Sequence, residues 1–196
     1  MGTQLFIIYA LTYVGLFFSV YFLFTFFSGA SRLGNPIAKK LYSVTIAVPA
    51  YNEEETIAKT IRSLLKLNYP KDKLDIIIVD DGSSDHTFKI ASRFSRVRAF
   101  RKENGGKGSA LNFALQKAKG ELFAALDADS VTSHDSLLKM VGYFDDPEVY
   151  AVTPSLKVAP PETLLQKIQY VEYLFGIFLR KVFSFLDAIH VTPGPL

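Results

Sequence analysis

Five aspartates of this 196-residue chain fall in two tight groups. Asp80, Asp81 and Asp85 lie within "IIIVDDGSSDHT", and Asp127 and Asp129 lie within "AALDADS". Each group follows a run of apolar, β-branched or small residues, the composition of a buried strand. Carboxylates carried to the end of such a strand are crowded and partly desolvated, so they require a proton or a cation nearby. The cation that suits an all-oxygen donor set is a hard divalent one, Mg2+ or Mn2+. Mg2+ is typically held by one or two carboxylates together with phosphate oxygens, so the pattern points to a phosphate-bearing ligand. Zinc has no comparable site. His86, His134 and His190 are scattered and there is no cysteine, so surface or capping roles are the default for each histidine.

The elements that must position these residues alternate along the chain. Strand patterns over 43–51, 74–81, 96–103, 121–129 and 149–158 are separated by helical spacing over 53–67, 84–95, 106–120 and 133–145. Ser84 or Asp85 stands near the cap of the second helix, and Gly120 is expected to end the third. Alternation of this kind predicts an α/β fold, a mainly parallel sheet with helices on both faces. Ligands of such sheets bind beyond the carboxyl ends of the strands. There "PAYNEE", "DDGSSD" and "DADS" would share one rim.

The first 28 residues differ. "LFIIYALTYVGLFFSVYFLFTFF" carries no charge over residues 5–27. As a helix it would measure about 34 Å, against a bilayer core of about 30 Å. A secretory signal fits less well, because "MGTQ" has no basic residue and the run exceeds a signal core, although "SGAS" could serve as a cleavage site. A buried globular helix would need a polar face that this segment lacks. The expectation is one N-terminal transmembrane helix over residues 1–28 and a Gly- and Pro-containing linker over 29–42. Arg32, Lys39 and Lys40 then hold the following domain on the cytoplasmic side of the plasma membrane. A long apolar pattern over 163–186 fits either a core helix on the sheet or an interfacial helix, with Lys167, Arg180 and Lys181 toward head groups. The chain stops shortly after "TPGPL" begins, which reads as a domain, 43–196, incomplete at its C-terminus. The net charge of +3 is too small to suggest nucleic acid as a partner.

Known phosphate loops fit poorly. "NGGKGSAL" places Gly108 where a Walker loop has Ser or Thr, and "PAYNEE" stands where a dinucleotide fingerprint would follow the first strand. "GGKG" is either a flexible loop before a helix or a mobile loop that brings Lys107 and a helix N-terminus toward a diphosphate.

"VTIAVPAYNEEETI", "IIIVDDGSSDHT", "NGGKGSALN" and "LDADS" together resemble, in order and approximate spacing, the family 2 glycosyltransferases of the GT-A (Rossmann-like) fold. "QKIQYVEYLFGIFLRK" and "TPGPL" resemble more loosely the membrane-bound polysaccharide synthases of that family, which make chitin, hyaluronan or poly-N-acetylglucosamine. The resemblance implies nucleotide contacts at Pro49, Ala50, Tyr51, Glu53, Asp80, Asp81, Lys107 and Asp127, with Asp81 accepting from a uracil ring. It implies metal contact at Asp129, with Asp127 beside it. The implied activity is inverting transfer of a sugar from a nucleotide donor, expected to be a UDP-sugar, to a glycan or lipid-linked acceptor. No residue matches the family's general base, since Glu162, Glu172 and Asp187 precede the Gly-Pro loop. The alternatives are a polyprenyl-phosphate sugar synthase and a nucleotide-sugar-binding fragment without turnover.

Overall fold

The computed structural model describes residues 2–29, 34–155 and 161–186. Arg32, the end of the fifth expected strand (156–158), Asp187, His190 and the "TPGPL" segment lie outside the described residues. The chain divides into two compact units. One contains α1 (Gly2–Ser28) and α6 (Leu164–Phe185); the other spans Asn35–Thr153.

In the first unit, α1 is apolar on every side, with a mean hydropathy of 2.0 over its most apolar 18 residues and none of these buried. By length and composition it can cross a membrane. Phe22 meets Phe183 and Phe26 meets Phe178, with ring centroids 5.7 and 5.2 Å apart. Helix α6 begins at a capping box, in which the Thr163 side chain accepts from the Gln166 N–H and Gln166 Oε1 accepts from the Thr163 N–H.

The second unit is a four-stranded, wholly parallel sheet in the order β3 (Arg98–Arg101), β2 (Leu74–Asp80), β1 (Val44–Ala50), β4 (Leu122–Ala125). Strands β1 and β2 run in register from Val44–Leu74 to Ala50–Asp80, and both are buried on two faces. Their near-continuous β-branched sequences follow from that double burial. Val44, Ile46 and Val48 of β1 and Ile76 and Ile78 of β2 pack with α2 (Ile57–Leu65), α3 (Thr87–Ala91) and α5 (Ser136–Val141). Ala47, Ile77 and Val79 instead meet Ala110 and Ala114 of α4 (Lys107–Lys117). Helix α4 covers the other face because the chain reverses there. It leaves β3 at one edge and returns to β4 beyond β1, and a right-handed crossover in the reverse direction lands opposite. The switch point between β1 and β4 is where a ligand crevice opens in such a sheet.

Several expected boundaries move. Residues 149–155 form no strand, and Tyr150 is almost fully exposed. A β-branched run becomes a strand only where a neighbour offers a ladder, and here none does among the described residues. The helix expected over 84–95 is confined to Thr87–Ala91, and the one expected over 133–145 ends at Val141 before a 3-10 turn, Gly142–Asp145. Gly120 does not end α4, which stops at Lys117. A Cβ at Gly120 would stand 2.4 Å from the Thr45 nitrogen, so glycine is needed there for close approach to β1.

The amino ends of the strands carry a structural network. Thr45 Oγ1 donates to Asp75 (2.9 Å) and accepts from the Lys119 and Gly120 N–H groups. Arg98 donates to both Asp75 oxygens and to the Lys117 carbonyl. Burial pushes the Asp75 carboxyl up, but bonds from Arg98 and Thr45 outweigh it and hold the group below the ordinary carboxylate range. A lowered folded value stabilises above the ordinary range, and that contribution is lost as pH falls through the lowered value. Asp75→Asn is therefore expected to cost about 1 kcal/mol at neutral pH, discounted for partial solvent access. Its stability should also fall less on acidification than that of the unsubstituted chain. Urea unfolding at neutral and acidic pH measures both; an equal deficit at the two would contradict the assignment.

Candidate functional site

The turns that follow β1 and β2 are stitched together by side chains. Asn52 takes a left-handed conformation (φ 54°), and its N–H donates to Ser83 Oγ. Its Oδ1 accepts from the Ser84 N–H and Oγ. The Glu53 N–H donates to Thr87 Oγ1 at 2.8 Å, the Glu54 N–H donates to Asp85 Oδ2, and the His86 N–H donates to Glu54 Oε2. Asp85 also accepts from the Thr87 N–H and hydroxyl. Burial acts to raise its carboxyl, and these donors overcome it and hold the group low. Asp85 is thus a loop brace that also accepts from the first N–H of α3.

Beyond β4 the chain turns at once. Ala128, between the two aspartates, is 5% exposed and belongs to the core. Anchoring that methyl inward leaves the flanking carboxylates of Asp127 and Asp129 on the solvent side, which accounts for the D-x-D spacing. Thr60 Oγ1 of α2 donates to the Ala128 carbonyl at 2.7 Å, and Ser63 Oγ accepts from the Thr132 N–H at 3.1 Å. Helix α2 therefore holds the acidic turn from beneath.

A cleft of about 230 Å³ opens between these turns, lined by Pro49, Ala50, Tyr51, Glu53, Asp81, Lys107, Asp127, Ala128 and Asp129. All the expected site residues except Asp80 meet there. Asp80 is the last residue of β2, is fully buried, and stands 3.2 Å from Arg101 Nε outside the cleft lining. Strand alternation sends its side chain to the face opposite Asp81. Neither Asp80 oxygen has a hydrogen bond among the described residues, so the Arg101 guanidinium compensates it through charge alone.

The cleft holds four carboxylates against one ammonium, that of Lys107. A diphosphate brought into this field needs accompanying cations. Lys107 Nζ stands 2.5 Å from Asp127 Oδ1. Asp129 is exposed, and among the described residues its carboxylate accepts only a long bond, 3.4 Å, from Ser130 Oγ. Among the described residues no group of three or more His, Cys, Asp or Glu side chains could hold a metal alone. One or two free carboxylate oxygens facing a cleft is the donor set that suits Mg2+ or Mn2+ sharing its shell with phosphates. The residues present therefore fit such an ion.

Three supporting residues escape a reading of the sequence. Thr60 and Ser63 sit among Ile57, Ile61 and Leu64 on the buried stripe of α2, and polar residues on an apolar stripe were the available signal. Lys102 gave no signal of its own; its partner Asp81 lies 21 residues away.

A parallel α/β sheet with an acidic D-x-D turn at its switch point has the GT-A architecture. The chain belongs to glycosyl transferase family 2, whose family model matches residues 45–194. It is similar to the poly-β-1,6-N-acetyl-D-glucosamine synthase of Staphylococcus epidermidis, 34% identical over 163 residues that make up 80% of this chain. The enzyme of the same name in Staphylococcus aureus (strain COL) is 36% identical over 72% of this chain. The chain spans 39% and 35% of the length of these two relatives. Among solved structures, a mannosyltransferase from Pyrobaculum calidifontis, in complex with GDP-Man and Mn2+, superposes with a TM-score of 0.59. The identity is 28%, and the match covers 71% of this chain and 44% of that one.

Proposed function

We propose that the cleft binds a nucleoside-diphosphate sugar with Mg2+ or Mn2+ and that the chain is the donor-binding part of a membrane-anchored, inverting polysaccharide synthase. The observation that carries this reading is the convergence of Asp127, Asp129 and Lys107 on one cleft at the switch point. Asp129, with Asp127, would hold the ion, and Lys107 would turn from Asp127 to a phosphate oxygen. When bound, the ion neutralises charge that builds on the departing nucleoside diphosphate. Pro49, Ala50 and Tyr51 offer a wall for the nucleoside, with Tyr51 half exposed beside it. A UDP-sugar is the donor that the motif resemblance implies, and a glycan is the acceptor suggested by the names of the synthase relatives. The uncharged length of α1 supports anchoring in the membrane.

Calorimetric titration of the full chain in detergent with UDP and GDP, each with and without Mn2+, tests the donor site. UDP should bind in Mn2+ and lose most of its affinity without it. Absence of metal-dependent binding to either nucleotide would sink the reading.

A further inference from the structure

The strap that joins β3 to α4, Lys102–Gly106, is fastened chiefly by the carboxylate of Asp81. Asp81 Oδ1 accepts from Lys102 Nζ (2.6 Å) and from the Gly105 N–H (3.1 Å). Asp81 Oδ2 accepts from the Gly106 N–H (2.7 Å) and shares the Gly105 N–H at 3.2 Å. Asp81 is 3% exposed, so these donors take up most of the acceptor capacity of a carboxylate that water barely reaches. Lys102 is itself tied down, since its ammonium also donates to the Glu103 carbonyl and its N–H donates to the Asp80 carbonyl. The strap passes directly over Gly82, which sits at φ +77°, and a Cβ there would lie 2.9 Å from the Asn104 nitrogen. The residue immediately after the strap is Lys107, the first of α4, whose ammonium reaches Asp127.

We propose that Asp81, braced by Lys102, is a positioning residue that acts through Lys107. It fixes the Gly105–Gly106 turn, and the turn sets the direction from which the Lys107 ammonium enters the cleft. This rests on the reading that the cleft takes a diphosphate, and it adds a role that the base-contacting assignment of Asp81 does not contain. The two roles differ in what they do to ligands without a base. A positioning role weakens the diphosphate contact, so its loss is felt by any ligand that carries a diphosphate. A base contact is felt by the nucleotide alone.

The experiment uses the full chain in detergent with Mn2+ and two probes, UDP and inorganic pyrophosphate. Asp81→Asn places an amide group against donors that need an acceptor. It is expected to weaken pyrophosphate roughly tenfold, the scale of one charge-assisted bond, and UDP at least as much. In a Lys107→Met background the same substitution should leave pyrophosphate affinity unchanged, because the residue it works through is gone. Lys102→Met, which leaves the Asp81 carboxylate in place, should reproduce a smaller parallel loss. Loss confined to UDP, or effects of Asp81→Asn and Lys107→Met on pyrophosphate that simply add, would overturn the proposal. Amide exchange supplies a readout that needs no ligand. The Gly105 and Gly106 N–H groups should be protected in the unsubstituted chain and released in Asp81→Asn, and fast exchange in both would overturn the anchor itself. If the unsubstituted chain bound neither probe while those amides were protected, the diphosphate reading would fall, and the role assigned to Lys107 with it, while the anchor stood.

Discussion

Asp129→Ala is expected to reduce UDP affinity in Mn2+ roughly a hundredfold, equivalent to about 2.7 kcal/mol, and to leave metal-free binding no weaker. The asymmetry between the two aspartates of the turn leads to this expectation. Asp127 is already paired with Lys107, so part of any effect of its removal is the release of that ammonium. Asp129 is exposed and carries no cation among the described residues, so its carboxylate is available as a metal ligand. Exposure also separates function from fold, because truncating an exposed side chain outside the core should shift stability by no more than about 0.5 kcal/mol. Calorimetry with and without Mn2+, alongside urea unfolding, measures both quantities. Unchanged UDP affinity in Mn2+ would remove Asp129 from the metal site and leave the acidic turn without its proposed purpose.

What the sequence made legible is what repeats locally. The β-branched runs of β1 and β2 announce strands buried on both faces, and the small apolar run before Asp127 announces the strand that delivers the acidic turn. Gly105 and Gly106 before a helical pattern mark Lys107 as a cation at the start of a helix. Asp80 and Asp81 look equivalent in sequence, yet strand alternation sends them to opposite faces, one beside Arg101 and one to the cleft. Lys102 is 21 residues from Asp81 and Thr60 is 68 from Ala128. Contacts of that range depend on how whole elements stack, and no short period encodes them. The valines and tyrosine of 149–152 illustrate the converse, since their pattern is strand-like but a strand also requires an edge to pair with.

Thr60→Val tests whether the acidic turn depends on the helix beneath it. The two side chains have nearly the same shape, so the substitution leaves no cavity, but it replaces a hydroxyl by a methyl that must draw back from the hydrogen-bond distance. That hydroxyl donates at 2.7 Å to the carbonyl of Ala128, and both groups are buried. Leaving that carbonyl unpaired is expected to cost about 2 kcal/mol of stability, the desolvation penalty of a buried acceptor. Because Ala128 separates Asp127 from Asp129, a turn that shifts to find another donor also changes the spacing of the two carboxylates. Metal-dependent UDP affinity should therefore fall roughly tenfold under conditions where urea unfolding shows the variant still folded. Ser63→Ala frees the Thr132 N–H at the far end of the same turn, so it should lower stability with a smaller effect on affinity. A Thr60→Val chain that loses stability but keeps its affinity for UDP in Mn2+ would show that the D-x-D turn holds its geometry without α2.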